Sequence, residues 1–115
     1  MTFDLWNVVV VPFPFTDRAS ENRRPALVVS RREFSRGGYT VLAMITSAAH
    51  DGSPGDTPIE DLAASGLKAE SLVRLKLFTL DNRLILRRIG ELAKPDRRAV
   101  RANLETFLGW SGKEH

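Results

Sequence analysis

The chain has no cysteine, and only two of its 115 residues are histidine, His50 and His115. Without cysteine it forms neither a disulfide framework nor a cysteine-ligated zinc site, and two histidines are too few for a histidine-rich metal cluster. We therefore expect no metal and no other cofactor. His50 could carry protons near neutral pH, but an isolated loop histidine is more often idle. Any catalysis is expected to use other side chains.

A long apolar segment is also missing. No apolar run approaches the roughly 20 residues that cross a bilayer, and the start, Met1 to Asp4, lacks the basic region of a signal peptide. We expect a cytoplasmic protein without membrane contacts. With 115 residues, 43% of them hydrophobic and 27% charged, the chain is too apolar for disorder and short enough for one domain.

The charge is weakly positive. The formal net charge is +3 and arginine dominates the cations, with a sequence pI of about 9.8. Guanidinium binds phosphate bidentately, so this composition suits a nucleic-acid partner. A basic surface that is merely solvated is the alternative, and charge alone leaves it open.

The hydrophobic pattern predicts short strands followed by one helix. Pro25 is expected to open the second strand, after a charged loop from Thr16 to Arg24, because a proline at the first position lies outside the ladder. One helical turn is expected over Asp61 to Ser65. The strands are expected at Leu5 to Val11, Ala26 to Ser30, Tyr39 to Thr46, Thr57 to Ile59, Ser71 to Leu77 and Leu84 to Ile89.

Alternation within the fifth strand separates two kinds of side chain. Val73, Leu75 and Leu77 fall on one face, and Arg74 and Lys76 fall on the other, which predicts a half-buried strand with a basic outer face. Outward charges are usually just solvated, but a face with two cations can also follow a phosphate backbone.

The C-terminal helix is expected to begin at Pro95 and to end at Gly109. Its buried stripe is expected to contain Val100, Leu104, Phe107 and Leu108. Together the elements predict a mainly β (α+β) single domain over residues 1–110, followed by a short polar tail, 111–115. The sheet is expected to curl, or to close as a small barrel, with the helix packed at one end.

Two stretches, Asn7 to Asp17 (NVVVVPFPFTD) and Arg23 to Ser30 (RRPALVVS), resemble the opening of MazF/PemK-family toxins. Ile45-Thr46-Ser47 resembles the end of the family's third strand, and Val73-Arg74 with Thr79-Leu80-Asp81 resembles its later strand and turn. The resemblance extends from about Leu5 to Trp110, and the order and spacing of the pieces make it specific.

This resemblance implies an SH3-like barrel, a homodimer, and single-stranded RNA held across the dimer interface. It also implies the toxin of a type II toxin–antitoxin pair, an endoribonuclease that cuts mRNA without a metal. The expected partner is a cognate antitoxin whose disordered, acidic C-terminal segment folds onto the toxin, in a complex that binds DNA.

The same resemblance implies the site residues. Arg24 matches the family's catalytic arginine, and Thr46 matches a threonine that helps to hold the scissile phosphate, with Ser47 as the alternative. The RNA 2′-OH would attack, leaving a 2′,3′-cyclic phosphate and a 5′-OH. Guanidinium is effectively never deprotonated, so we expect Arg24 to stabilise phosphorane charge. RNA contacts are expected at Arg23, Ser47, Arg74, Lys76, Phe15 and Asp17, with packing as the alternative role of Phe15.

Two positions depart from the family pattern. The first strand of relatives usually begins Gly-Asp, where this chain has Trp6-Asn7, and some relatives carry an acidic residue where this chain has Lys76. One alternative is therefore an inactive RNA-binding module of the same fold. Another is a CcdB-like toxin that binds DNA gyrase through C-terminal residues, which Trp110 weakly resembles.

Overall fold

The structure, a computed structural model, describes residues 2–12, 23–49 and 52–109. Expectations about Phe15, Asp17, His50 and Trp110 therefore lie outside the described residues. Within them, strands β1–β6 form one sheet in the order β4-β5-β3-β2-β1-β6, and every pairing is antiparallel. The strands are β1 Asn7–Pro12, β2 Arg23–Val28, β3 Tyr39–Ser47, β4 Thr57–Pro58, β5 Ser71–Asp81 and β6 Arg87–Glu91.

The helices are α1 Arg32–Ser35, α2 Leu62–Ser65 and α3 Lys94–Leu108, with a 3-10 turn at Asn82–Leu84. The predicted mainly β class, with a curled antiparallel sheet and a C-terminal helix, is confirmed. The turn at Asp61 to Ser65 is confirmed as α2, which the Asp61 carboxylate caps by accepting the Ala64 N–H at 3.0 Å.

Several predicted boundaries are wrong. β2 begins at Arg23, so Pro25 lies inside the strand. The proline fits because the β2–β3 ladder starts only at Ala26, so that a missing N–H on that side breaks no bond. β5 continues to Asp81, and the 3-10 turn then delays β6 until Arg87. The helix α1 was not predicted, because four residues carry too little periodicity.

The sheet is buried on both faces. The helix face packs against α3 in a core of Trp6, Val8, Leu27, Ala43, Ile45, Ile59, Val73, Leu92, Val100 and Leu104. The opposite face carries a second core of Phe3, Val9, Val11, Ala26, Val28, Leu42, Phe78, Leu80 and Ile85. Successive residues of β1 and β2 serve different cores, which explains why these strands are continuously apolar instead of alternating.

Irregular pairing bends the sheet. The β3–β5 register shifts between Ala43 and Met44, which leaves Leu75 and Lys76 without partners on β3. A second shift lies between Val8 and Val9, opposite β6. Bulges bend a strand and increase its twist, so these two irregularities contribute to the curl of the sheet.

Trp6 has a backbone conformation that favours glycine, with φ of 77°, at the position where the resemblance to MazF/PemK toxins leads one to expect glycine. This is costly for a large side chain. Its N–H donates to the Val28 carbonyl at 2.9 Å, and its carbonyl accepts the Leu92 N–H at 3.0 Å. The ring is buried in the helix-side core, and the Arg101 guanidinium lies 5.7 Å from its centre. Packing therefore compensates the backbone strain.

The helix α3 follows the predicted stripe at Val100 and Leu104, which are buried, and Leu108 is partly buried. Phe107 is an error of the prediction, because it is 51% exposed. It lies in the last turn of the helix, beside the stripe that Leu104 and Leu108 continue, and Gly109 then ends the helix at φ of 78°.

A buried carboxylate ties α3 to the segment before α2. Asp96, 2% exposed, accepts the backbone N–H groups of Glu60 and Asp61, each at 3.0 Å. We expect Asp96→Ala to lower the free energy of unfolding by about 1–3 kcal/mol, because it leaves these donors without an acceptor. Asp96→Asn keeps one acceptor oxygen and should lower the free energy of unfolding by less.

Denaturant unfolding measures the effect, with Glu60→Ala as the control. Glu60 is exposed, so this control should stay within about 0.5 kcal/mol of the native protein. An Asp96→Ala protein as stable as the control would show that these two hydrogen bonds do not contribute to stability.

Candidate nucleic-acid interface

The end of the β2–β3 pairing brings Arg24 and Thr46 into one row. The last paired residues are Ala26 and Met44, both on the opposite face of the sheet. Two residues further along each strand stand Arg24 and Thr46, so both project from this same face. The pairing ends before these two residues, so a guanidinium and a hydroxyl lie on one face just beyond the end of the ladder.

Arg24 and Thr46 differ in their surroundings. Arg24 is exposed, and no acidic side chain pairs with its guanidinium among the residues that the structure describes. Thr46 is half-buried and its strand is held on the other side by β5, where Thr46 faces Leu72. The row thus combines an available cation with a positioned hydroxyl, a pair that suits a phosphate.

Arg74 lies on the same face, opposite Met44, but is already engaged. Its Nε and Nη2 donate to the two Asp56 oxygens at 3.2 and 3.0 Å, and the two side chains are only 20% and 11% exposed. The predicted alternation is therefore confirmed, since Arg74 and Lys76 lie on one face, but Arg74 is only partly exposed and is paired with Asp56. Two strand spacings, about 10 Å, separate β5 from β2, so Arg74 flanks the row.

Asp56 was not predicted as a site residue. The hydrogen bonds from Arg74 hold the pKa of the Asp56 carboxyl below its usual range, aided by the Ser53 N–H and opposed by burial. Here the carboxylate reaches Arg74 from the loop before β4, and no local sequence pattern marks it.

The remaining predicted contacts are divided between the two faces. Lys76 is exposed and lies on the same face as Arg74, since Leu75 and Leu77 beside it pack on the helix-side core. Ser47 pairs with Ser71 on the helix face, where its Oγ accepts the Ala49 N–H at 3.2 Å. The structure therefore separates Ser47 from the Arg24–Thr46 row, because successive strand residues alternate.

Arg23 also lies on the helix face, at the mouth of a pocket of about 400 Å³. Lys68 and Arg87 line this pocket with it, and both residues were missed by the sequence analysis. They come from the segment after α2 and from β6, so only the folded chain brings these cations together.

A second, mainly apolar pocket of about 430 Å³ is lined by residues such as Phe34, Leu77 and Leu108. It shares no residue with the Arg24–Thr46 row and does not define the site. In the described part of the chain, no group of three acidic, histidine or cysteine side chains is placed to hold a metal ion. No helix there is long and apolar enough to cross a membrane.

The curled sheet and the C-terminal helix form a small MazF-like fold. The cationic and hydroxyl side chains of the candidate site lie where two of its strands separate. A family model described as PemK-like, MazF-like toxin of type II toxin–antitoxin system matches residues 4–108. The chain belongs to this family. Comparison with curated protein sequences gives no match.

Solved structures share the fold. A chain of the MazE–MazF crystal structure from Deinococcus radiodurans has a TM-score of 0.73 and 22% identity, covering 95% of this chain and 97% of that one. An endoribonuclease in complex with its cognate antitoxin from a mycobacterial species has a TM-score of 0.73 and 17% identity, covering 93% and 95%. The toxin MazF-mt6 of Mycobacterium tuberculosis has a TM-score of 0.69 and 20% identity, covering 90% and 96%.

The Asp56–Arg74 pair makes stability depend on pH. Because the pKa of Asp56 is lowered in the folded protein, its contribution is complete above the unfolded carboxyl value of about 3.9 and is lost as pH falls through the lower, folded value. Asp56→Asn should therefore lower Tm near neutral pH, and the difference from the native protein should shrink in acid.

Thermal melting from about pH 7 down to about pH 3 follows this difference. Glu70→Gln is the matched control, because Glu70 is an exposed carboxylate, and its Tm difference should be small throughout. A difference for Asp56→Asn that is constant across this range would contradict the assignment to the ionised pair.

Proposed function

We propose that the protein is the toxin of a type II toxin–antitoxin pair and acts as a metal-independent endoribonuclease on single-stranded RNA. The observation that carries the proposal is the Arg24–Thr46 row, where an exposed guanidinium and a hydroxyl share one face at the parting of two strands. Family membership supports the reaction class, and relatives of this fold include a protein described as an endoribonuclease.

The chemistry follows from what the row offers. The 2′-OH attacks the adjacent phosphorus, the 5′-oxygen leaves, and the products are a 2′,3′-cyclic phosphate and a 5′-OH. The proton of the 2′-OH passes to water, and the 5′-oxygen takes a proton from water. Arg24 offsets the negative charge that develops on the phosphorane oxygens, while the Thr46 hydroxyl donates to one of them. Lys76 attracts the backbone. Arg74, which Asp56 holds in position, flanks the row as a rigid contact.

Two partners complete the proposal. One is a second copy of the chain, with RNA spanning both subunits, since a two-fold pair presents the cationic row twice. The other is a cognate antitoxin with a disordered, acidic C-terminal segment that folds onto the basic surface. Structures described as a MazE–MazF complex and as an endoribonuclease with its antitoxin support this partner class.

The purified protein should cleave a long unstructured RNA in excess EDTA. The reaction needs no metal because the RNA supplies its own nucleophile and Arg24 supplies the positive charge. Mass spectrometry of the fragments should show 2′,3′-cyclic phosphate and 5′-OH ends at the mapped cuts. Cleavage only after addition of magnesium, or fragments with 5′-phosphate ends, would contradict the mechanism.

Arg24→Ala should lower the single-turnover cleavage rate by roughly two to three orders of magnitude, because the guanidinium acts on charge that appears only in the transition state. RNA binding should weaken much less. Arg24→Lys should also be slow, since ammonium keeps the charge but loses the planar fork. Arg23→Ala should mainly weaken binding and flatten its salt dependence.

The control is Arg98→Ala, which removes an exposed arginine from α3 and should leave the rate unchanged. Melting curves for all four variants separate chemistry from folding. If Arg24→Ala melts normally and still cuts at nearly the native rate, the row is not the site.

A further inference from the structure

The pocket beside Arg23 has a rim of positive charge and an apolar floor. Arg23, Lys68 and Arg87 form the rim, and every ionisable side chain that lines the pocket is cationic. Val10, Pro25 and Ile89 are among the apolar residues of the floor. We call it the basic pocket. Its volume of about 400 Å³ lies in the range of small-molecule sites.

Two glycines allow this pocket to form. A Cβ on Gly66 would lie 2.1 Å from the Ile89 carbonyl oxygen, and a Cβ on Gly90 would lie 2.5 Å from the Ala64 carbonyl oxygen. The end of α2 therefore rests directly on the backbone of β6. Gly66 also has φ of 77°, which turns the chain so that Lys68 follows α2 into the rim.

The three cations of the rim lack a carboxylate partner in the part of the chain that the structure describes. Five arginines of the described chain have carboxylate partners, among them Arg74 with Asp56 and Arg97 with Glu91. Among the described residues, none of Arg23, Lys68 and Arg87 has such a partner. Like charges that converge without counter-charge repel each other, and an anion that binds among them removes this cost.

Arg23 and Arg24 connect the basic pocket to the candidate catalytic row. They are consecutive on β2, so their Cα atoms lie about 3.8 Å apart and their side chains point to opposite faces. β3 does not cover β2 at these residues, because the pairing begins at Ala26. A chain held by Arg24 can thus continue over this open edge onto Arg23, and Arg24 itself borders the basic pocket.

We propose that the basic pocket holds a nucleotide of the RNA next to the cut. Its phosphate lies among Arg23, Lys68 and Arg87, and its base lies on the apolar floor. This inference rests on the proposed nuclease function and adds a binding subsite to it. Continuity with Arg24 favours RNA over an acidic protein segment, because the same chain must supply the phosphate that Arg24 binds.

The test uses the double variant Lys68→Ala/Arg87→Ala and an unstructured RNA with 2′-deoxyribose at the mapped cut, so that binding is measured without cleavage. Affinity should fall at least tenfold. The slope of log affinity against log salt should become shallower by about 1.4, since each contact with single-stranded RNA contributes about 0.7. Both side chains are exposed, so the melting temperature should not change.

Lys94→Ala/Arg98→Ala is the matched control. It removes one lysine and one arginine that are exposed on α3 and outside the basic pocket, and it should keep the native affinity within twofold. RNAs trimmed from either end toward the cut locate the nucleotide. Trimming one side should weaken native binding and leave the Lys68→Ala/Arg87→Ala protein unaffected.

The outcomes separate this inference from the proposed function. If the native protein cuts RNA but the Lys68→Ala/Arg87→Ala protein keeps native affinity and salt slope, the pocket assignment is wrong and the nuclease stands. If the native protein never cuts, unmodified RNA serves as the ligand, and loss of affinity in that variant would show that the nuclease is wrong while the basic pocket still binds an RNA nucleotide. Loss of affinity for a poly-glutamate probe with unchanged RNA binding would overturn the assignment in favour of a protein segment.

Discussion

Burial of both faces of β2 is the constraint on which the candidate site depends. Leu27 faces the helix-side core and Ala26 faces the opposite core. Because both faces of β2 are apolar, a shift of its pairing register by one residue would still bury apolar side chains on each face. The close packing of large and small side chains therefore has to fix the register. That register places Arg24 on the face of Thr46 and Arg23 on the other face. A shift of one residue would exchange the two arginines.

The electrostatics divides the cations of the molecule into two groups. Arg74 is held by Asp56 in a half-buried pair, so it is fixed in position and partly neutralised. Arg24 and the rim of the basic pocket have no such pairs among the described residues and remain available to an anion. A phosphate site needs both a rigid frame and a cation that is not neutralised. Arg74 on β5 contributes to the frame, and Arg24 on β2 is the available cation.

Where this chain departs from the family pattern, residues from distant parts of the sequence compensate for the change. Trp6 stands where the family resemblance leads one to expect glycine and has a positive φ, and its burial in the helix-side core offsets the strain. Lys76 stands where the family resemblance leads one to expect an acidic residue in some members, and in this chain Asp56, from another segment, supplies the carboxylate that pairs with Arg74. Neither replacement is local, so neither could be predicted from the neighbouring residues.

The sequence by itself determined the strand-rich class and the curled sheet with its C-terminal helix, because hydrophobic period, prolines and glycines act locally. The likeness to a toxin family came separately, from the order and spacing of matching motifs. The sequence also marked Arg24 and Thr46 by motif. Only the tertiary structure decided that Ser47 lies on the other face, that Asp56 engages Arg74, and that Lys68 and Arg87 join Arg23. These outcomes depend on strand register and on the approach of α2 to β6, which join residues far apart in the chain.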